Sequence, residues 1–168
     1  MKCLSIRQPW ALQVCLAVRR IENRSWSTSH RGDIAIHAGG YKAAVKHFMA
    51  QDTWDDSIGD KMSLGAIIGT VELCDSIAFD EQEWDDQCAE GPYCLLFRKA
   101  RLFRTPIPHK GRVNLCELPV EVAQRVEQSK ADCIDVEASD LCERCVRAIP
   151  VGKIPKAFLP QEPRWWSP

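Results

Sequence analysis

Strong charge of either sign is missing from this chain. In 168 residues, 22 Lys and Arg face 23 Asp and Glu, a formal net charge of −1. That excludes the broad basic footprint of a protein that grips duplex nucleic acid without regard to sequence. A local concentration of charge, or a pocket for one nucleotide, remains open. Also missing is any unbroken apolar run of the roughly 18 residues needed to span a bilayer as a helix. The opening stretch MKCLSIRQPWALQVCLAVRR is interrupted by Arg7, Gln8 and Pro9, and no small-residue cleavage site follows a clean apolar core. It reads as mature structure, with no membrane partner, and the cytoplasm is the expected compartment. No internal repeat is present.

Cysteine, by contrast, is abundant: nine residues, at 3, 15, 74, 88, 94, 116, 133, 142 and 145. Four of the first six lie inside apolar runs (KCLSI, QVCLAV, VELCD, YCLLF), where Cys packs as a small hydrophobe. The number is odd and nothing indicates secretion, so reduced thiols are expected rather than a disulfide framework. Cys142-x2-Cys145 is half of a zinc site, but a second such pair is absent. Cys142, Cys145, Val146 and Ile149 also recur at the spacing of a buried helical face. Core packing is the expected role, with no metal and no cofactor.

Apolar residues make up 45% of the chain, enough for one globular domain with a short appendage. Residues 3–7 read as a strand broken by Pro9, and Pro followed by Trp-Ala-Leu predicts a helix over 9–18. IENRSW and GDIAIHA alternate as strands, and YKAAVKHFMAQ has the composition of a helix. LGAIIGTVELCDSIAF is a long strand in which Gly69 predicts a bulge or bend. PYCLLFRKARLFRTPIP is one long strand, or a hairpin turning near Lys99 and Ala100. RVNLCEL adds another strand. After Pro119 the texture turns helical, and the end, PKAFLPQEPRWWSP, is Pro-rich. This pattern is mainly β with flanking helices (α+β): a small barrel over 1–118 and a helical, Cys-containing extension over 119–168.

Six blocks, LSIRQPWA, RRIENRSW, RGDIAIHA, GAIIGTVEL, GPYCLLF and PHKGRVNLCEL, follow one another in the order and spacing of ASCH domains. The chain resembles that family over roughly residues 3–118, about two thirds of its length. The family signature is G-x-K-x-x-E-x-R. Here it stands as Ala17-Val18-Arg19-Arg20-Ile21-Glu22-Asn23-Arg24, with Ala17 for the Gly and Arg19 for the Lys. The resemblance implies a PUA-like β-barrel with a cleft near the signature, and a role in RNA recognition, coregulation or nucleotide chemistry. Small members of the family include hydrolases that deacetylate acetylcytidine with a Lys and a Thr of the signature and a Glu from a later strand. In this chain Arg19 replaces that Lys and Glu22 stands at the Thr, while Glu72 matches the Glu. Arg, with a pKa above about 12, does not serve as the base or nucleophile that a desolvated Lys can become.

The candidate site residues follow from spacing. Arg20, Glu22, Arg24 and Trp26 share one face of a strand, so guanidiniums can hold a phosphate while Trp26 stacks a base. An ion-paired outer strand face is the bland alternative. Arg7 and Gln8 are placed to hydrogen-bond a base edge; Trp10 stacks or, more in keeping with its neighbours, packs in the core. Gly39-Gly40 precedes a helix whose start, with His37, Tyr41, Lys42 and Lys46 nearby, suits an anion. A structural His beside solvated lysines is the plainer alternative. Glu72, the one acid in its apolar strand, lines the cleft or faces water, and the resemblance favours the cleft. If the chain is an enzyme, Glu22, Glu72 and Lys42 are the candidate catalytic groups, for a ribonuclease or an acetylcytidine amidohydrolase. Otherwise Arg7, Gln8, Arg19, Arg24, Trp26, His37, Tyr41, Lys42 and Lys46 are the candidate contacts of a module for single-stranded RNA or a modified nucleotide. A third class is a protein-interaction domain built on the C-terminal helices and the Arg164-Trp165-Trp166 tail, and an alternative for that tail is docking onto the body.

Overall fold

Alternating apolar residues build most of the architecture. The computed structural model describes residues 1–8, 10–17, 19–39, 63–81 and 88–134. Its strands are β1 (Lys2–Ile6), β2 (Ile21–Arg24), β3 (Gly32–Ala38), β4 (Ala66–Ala78), β5 (Tyr93–Pro108), β6 (Leu115–Glu117) and β7 (Cys133–Ile134). Helices α1 (Trp10–Cys15) and α2 (Val120–Ser129) accompany them, with a 3-10 turn at Phe79–Glu81. The strands form one sheet in the order β2-β5-β4-β3-β1-β6, with β7 paired to β5. The sheet curls into a half-barrel, so the expected mainly β fold with flanking helices is the fold observed. β1 and β3 run parallel, and the other strand pairs among the described residues are antiparallel.

Both faces of the sheet's centre are buried. On one, Ala11, Leu12, Val14 and Cys15 of α1 pack with Leu4, Ile6, Ile34, Ile36, Leu73 and Leu102. On the other, Cys3, Ala35, Ile67, Phe103 and Ile107 pack with Leu118 and with Val126 of α2. Residues 34, 35 and 36 thus alternate between two cores, as a strand requires. Each fully buried Leu or Ile contributes roughly 1.5–3 kcal/mol relative to an exposed one. The first core sets α1, and with it the Arg7 turn, at the mouth of the half-barrel.

β5 is one strand, not a hairpin. Its register against β4 advances three residues, Arg98 to Arg101, while β4 advances two, Glu72 to Thr70. The extra residue is taken up by a bulge at Lys99, whose φ is +50°. The bulge lets consecutive side chains reach one acceptor: Arg98 Nη2 lies 2.6 Å, and Lys99 Nζ 2.8 Å, from the Glu72 carboxylate. Gly69 also sits at a register shift, as its position in the strand predicts. A Cβ there would lie 2.1 Å from the Arg101 carbonyl oxygen and 2.7 Å from Cys15 Sγ.

Cys3, Cys15, Cys74, Cys94 and Cys116 carry free thiols. Burial pushes the Cys3 thiol up to about 12. The expectation of reduced thiols fails at Cys88, which is disulfide-bonded. Tyr41, Lys42, Lys46, Cys142, Cys145 and the Trp165-Trp166 tail lie outside the described residues. No helix among the described residues is long and apolar enough to cross a membrane.

Two substitutions test this packing. Gly69→Ala drives a methyl group into backbone, and a loss of about 3 kcal/mol is expected, at the upper end of overpacking costs. Ala17 has φ +57°, a left-handed conformation where the family signature carries Gly. Ala17→Gly is therefore expected to stabilise the fold by about 1 kcal/mol, by relieving that conformation. Urea unfolding midpoints read both; equal midpoints for all three proteins would refute the backbone argument.

Candidate functional site

The signature residues are delivered by the turn that ends α1. Ala17 N–H donates to the Val14 carbonyl at 3.1 Å and Arg19 N–H to the Gln13 carbonyl at 3.2 Å. With Ala17 left-handed, the chain reverses and enters edge strand β2, which pairs with β5 from Ile21↔Leu96 to Arg24↔Tyr93. Asn23 fastens the far side of β2: its amide donates to the Cys88 carbonyl at 2.7 Å and accepts from Glu90 N–H at 3.0 Å.

A cavity of about 760 Å³ opens between β2, the end of β1 and the loop before β6. That volume is within the roughly 300–1,000 Å³ of small-molecule and cofactor sites. Arg7, Arg19, Glu22, Arg24 and Trp26, all singled out in the sequence, line it together. Trp10, Arg112 and Asn114 line it too. Four guanidiniums and the carboxylates of Glu22 and Glu90 leave the lining positive by two, inside a chain of net charge −1.

Arg24 organises the charge. Its Nη2 donates to the Ser5 carbonyl at 2.7 Å and lies 3.0 Å from Glu22 Oε1. β2 and β1 are four places apart in the sheet order, so this contact ties the two sides of the opening together. β6 pairs with β1 only at Lys2, Cys3 and Leu4, which leaves the Ser5 carbonyl to Arg24. Arg24 Nε and Ser5 Oγ are buried without a hydrogen-bond partner. Arg19 Nε donates to the Ile21 carbonyl at 2.7 Å and lies 3.7 Å from Glu22 Oε2. It is a fixed cation, held on both sides of its own turn. Burial raises the Glu22 carboxyl above its ordinary range, against the opposing pull of Arg24, Arg19 and Arg7.

The remaining candidates are dispersed. Glu72 does not line this cavity: Arg98 and Lys99 engage it and hold its carboxyl down to about 2. Gln8 is fully buried, with its amide NH2 on the Ser63 carbonyl at 3.2 Å and its oxygen accepting from Leu12 N–H at 3.1 Å. It secures α1, and its polar atoms are not offered to a base. His37 is buried, its Nε2 3.0 Å from the His109 carbonyl oxygen, and burial lowers its pKa. It packs under Gly111, beside Ser5, rather than in the cavity wall. Arg20 turns to a smaller recess on the α1 side. Arg112 and Asn114 escaped the reading of spacing because they lie in a loop, where no periodicity aims a side chain.

Glu22 carries a pH signature. Its raised pKa means that the folded state binds this proton more tightly than the unfolded chain. The corresponding stability is fully present below the ordinary value of 4.5 and is lost as pH rises through the higher folded value. Glu22→Gln cannot ionise, so its stability relative to the parent should increase as pH is raised from below 4.5 to neutrality. Urea unfolding of both proteins across that range tests this. A gap of the opposite slope would mean that the arginines outweigh burial.

No family model matches the chain. It is 29% identical over 133 residues to activating signal cointegrator 1 of Homo sapiens, and 28% identical over 133 residues to the Mus musculus protein of the same name. These alignments cover 73% of this chain but 23% of either relative, so the chain spans about a quarter of their length. Among solved structures, ASCH from Zymomonas mobilis aligns at a TM-score of 0.49 and 15% identity, over 76% of this chain and 93% of that one. A mutant form of the same protein aligns at 0.48 and 15%, over 76% and 96%. With the six sequence blocks and the signature strand, these relatives support an ASCH domain in this chain.

Proposed function

We propose that the cavity beside β2 recognises RNA, as a single-stranded segment or a modified nucleotide. One observation carries this: Arg7, Arg19, Arg24 and Arg112 converge with Trp10 and Trp26 on one cavity of about 760 Å³, in a chain without net positive charge. Guanidiniums hold phosphate oxygens through charge-assisted, often bidentate bonds, and an indole gives a base a stacking surface. The buried, unpartnered Nε of half-buried Arg24 is a donor still to be satisfied. Membership of the ASCH family supports a nucleic-acid-related role. Attraction is local, so binding is modest in range and sensitive to salt.

Binding without turnover is the reading that the residues favour. Arg19 stands where a catalytic Lys is needed, and its guanidinium is tied to Ile21 and Glu22. Glu72, the third group of the deacetylase pattern, is committed to Arg98 and Lys99.

Fluorescence anisotropy with a labelled single-stranded RNA tests the proposal. Trp26→Ala should weaken binding by about 1–3 kcal/mol, the worth of one stacked base. Arg7→Ala should lower the salt dependence by about one contact, because Arg7 is exposed and its loss leaves the fold intact. Full affinity in the combined variant would overturn the assignment. Acetate released from acetylcytidine, or cleavage of the RNA, would replace a binding module with a hydrolase.

A further inference from the structure

A second recess, of about 260 Å³, adjoins the central cavity. Its wall includes Arg19, Arg20, Arg98 and Lys99, with Ala17 and Phe97 between them, and no carboxylate. Arg19 lines both spaces, so the two share part of their wall. Arg20 is exposed, and its side chain has no ion-pair partner among the described residues. Arg98 and Lys99 share the single carboxylate of Glu72, which lies outside the recess wall. Cationic charge therefore exceeds the acid available to it. The arrangement comes from backbone: the left-handed turn at Ala17 carries Arg19 and Arg20, and the bulge at Lys99 presents two cations in succession.

At another border the central cavity shares Trp26 and Asn114 with a third recess of about 510 Å³. That space is lined by Ser27, Thr28, Ser29 and His30, whose Nε2 is buried without a partner. Three adjoining spaces joined by shared walls exceed what one nucleotide requires. Their chemistry also differs: cationic without acid in the wall, then cationic and aromatic, then rich in hydroxyls with Lys2 as the one full cation.

We propose that the Arg19–Arg20–Arg98–Lys99 recess is a second anion subsite, which takes a backbone phosphate of a strand whose neighbouring base sits in the central cavity. The ligand is then an internal stretch of single-stranded nucleic acid rather than a free nucleotide. This rests on the nucleic-acid reading of the central cavity and narrows it. A phosphate one step along the strand is the group that this excess of guanidiniums and ammonium over carboxylate matches.

The test compares a nucleoside monophosphate with a labelled RNA pentanucleotide, using the full chain and calorimetric or anisotropy titration. The oligonucleotide should bind at least about tenfold more tightly, since it alone reaches both subsites. An Arg20→Ala, Arg98→Ala double variant should lose most of that advantage and should reduce the slope of log affinity against log salt by about one or more. Its affinity for the monophosphate should stay as in the parent. Arg20→Glu, which leaves the Glu72 pairs intact, should weaken oligonucleotide binding further than Arg20→Ala. Arg104→Ala, which removes an exposed pair with Asp132 outside all three spaces, should change neither ligand's affinity. Equal affinity for the two ligands, or an oligonucleotide affinity unmoved in the double variant, would overturn the second subsite and leave the central one standing. Failure of the parent protein to bind either ligand would remove the nucleic-acid reading itself, and this inference with it.

Discussion

The contact on which this molecule's opening depends is the guanidinium of Arg24 between Glu22 and the Ser5 carbonyl. β2 and β1 are not neighbours in the sheet, yet one side chain reaches from the first to the backbone of the second. A short β6 makes this possible by ending before Ser5. The cavity exists because the sheet curls and stops short of closing, and Arg24 bridges the gap with a charge instead of a strand. Removing either partner of a buried charge pair leaves the other uncompensated, so Glu22 and Arg24 constrain each other. Arg19 adds a second restraint, because its turn and its carbonyl partner, Ile21, hold it against the same carboxylate.

Electrostatics explains how a near-neutral chain can favour an anion. Screening removes exposed charges beyond about 8–10 Å at ordinary salt, so the whole-chain balance matters less than the few groups at the cavity wall. Half-burial strengthens those groups by excluding solvent. It also tunes Glu22: protonation of that carboxyl would release Arg24 and Arg19 from their acid and leave the wall more cationic. Arg instead of Lys at position 19 keeps the charge permanent, which suits a holding group and not a proton-transfer group.

Much of the fold was legible in the chain. The alternation in GDIAIHA, the Gly in GAIIGTVEL and the Pro before the last described helix were each read for what they became. β5 was legible as a strand with something irregular near Lys99, but whether that was a hairpin or a bulge depended on pairing with β4. Among site residues, Glu22, Arg24 and Trp26 were read as one face of a strand, and they do share a cavity. Arg20 belonged to the same alternation and turned elsewhere, because β2 begins only at Ile21. Gln8 and His37 looked like contacts since polar residues between apolar ones are conspicuous, and burial with full local hydrogen bonding at Gln8 absorbed that polarity into the core.

By itself the sequence determined the period of each strand, the position of the signature and the near-balance of charge, because these are local or additive properties of the chain. Which charges meet is neither. Glu22 finds Arg24 and Arg19, while Glu72 finds Arg98 and Lys99, through a curl of the sheet and a bulge that no local pattern encodes. Arg7, Arg112 and β2 come together across more than a hundred residues of chain for the same reason. Side-chain direction follows from local backbone geometry, whereas proximity follows from the packing of two cores against one curled sheet, and only the tertiary structure decided that.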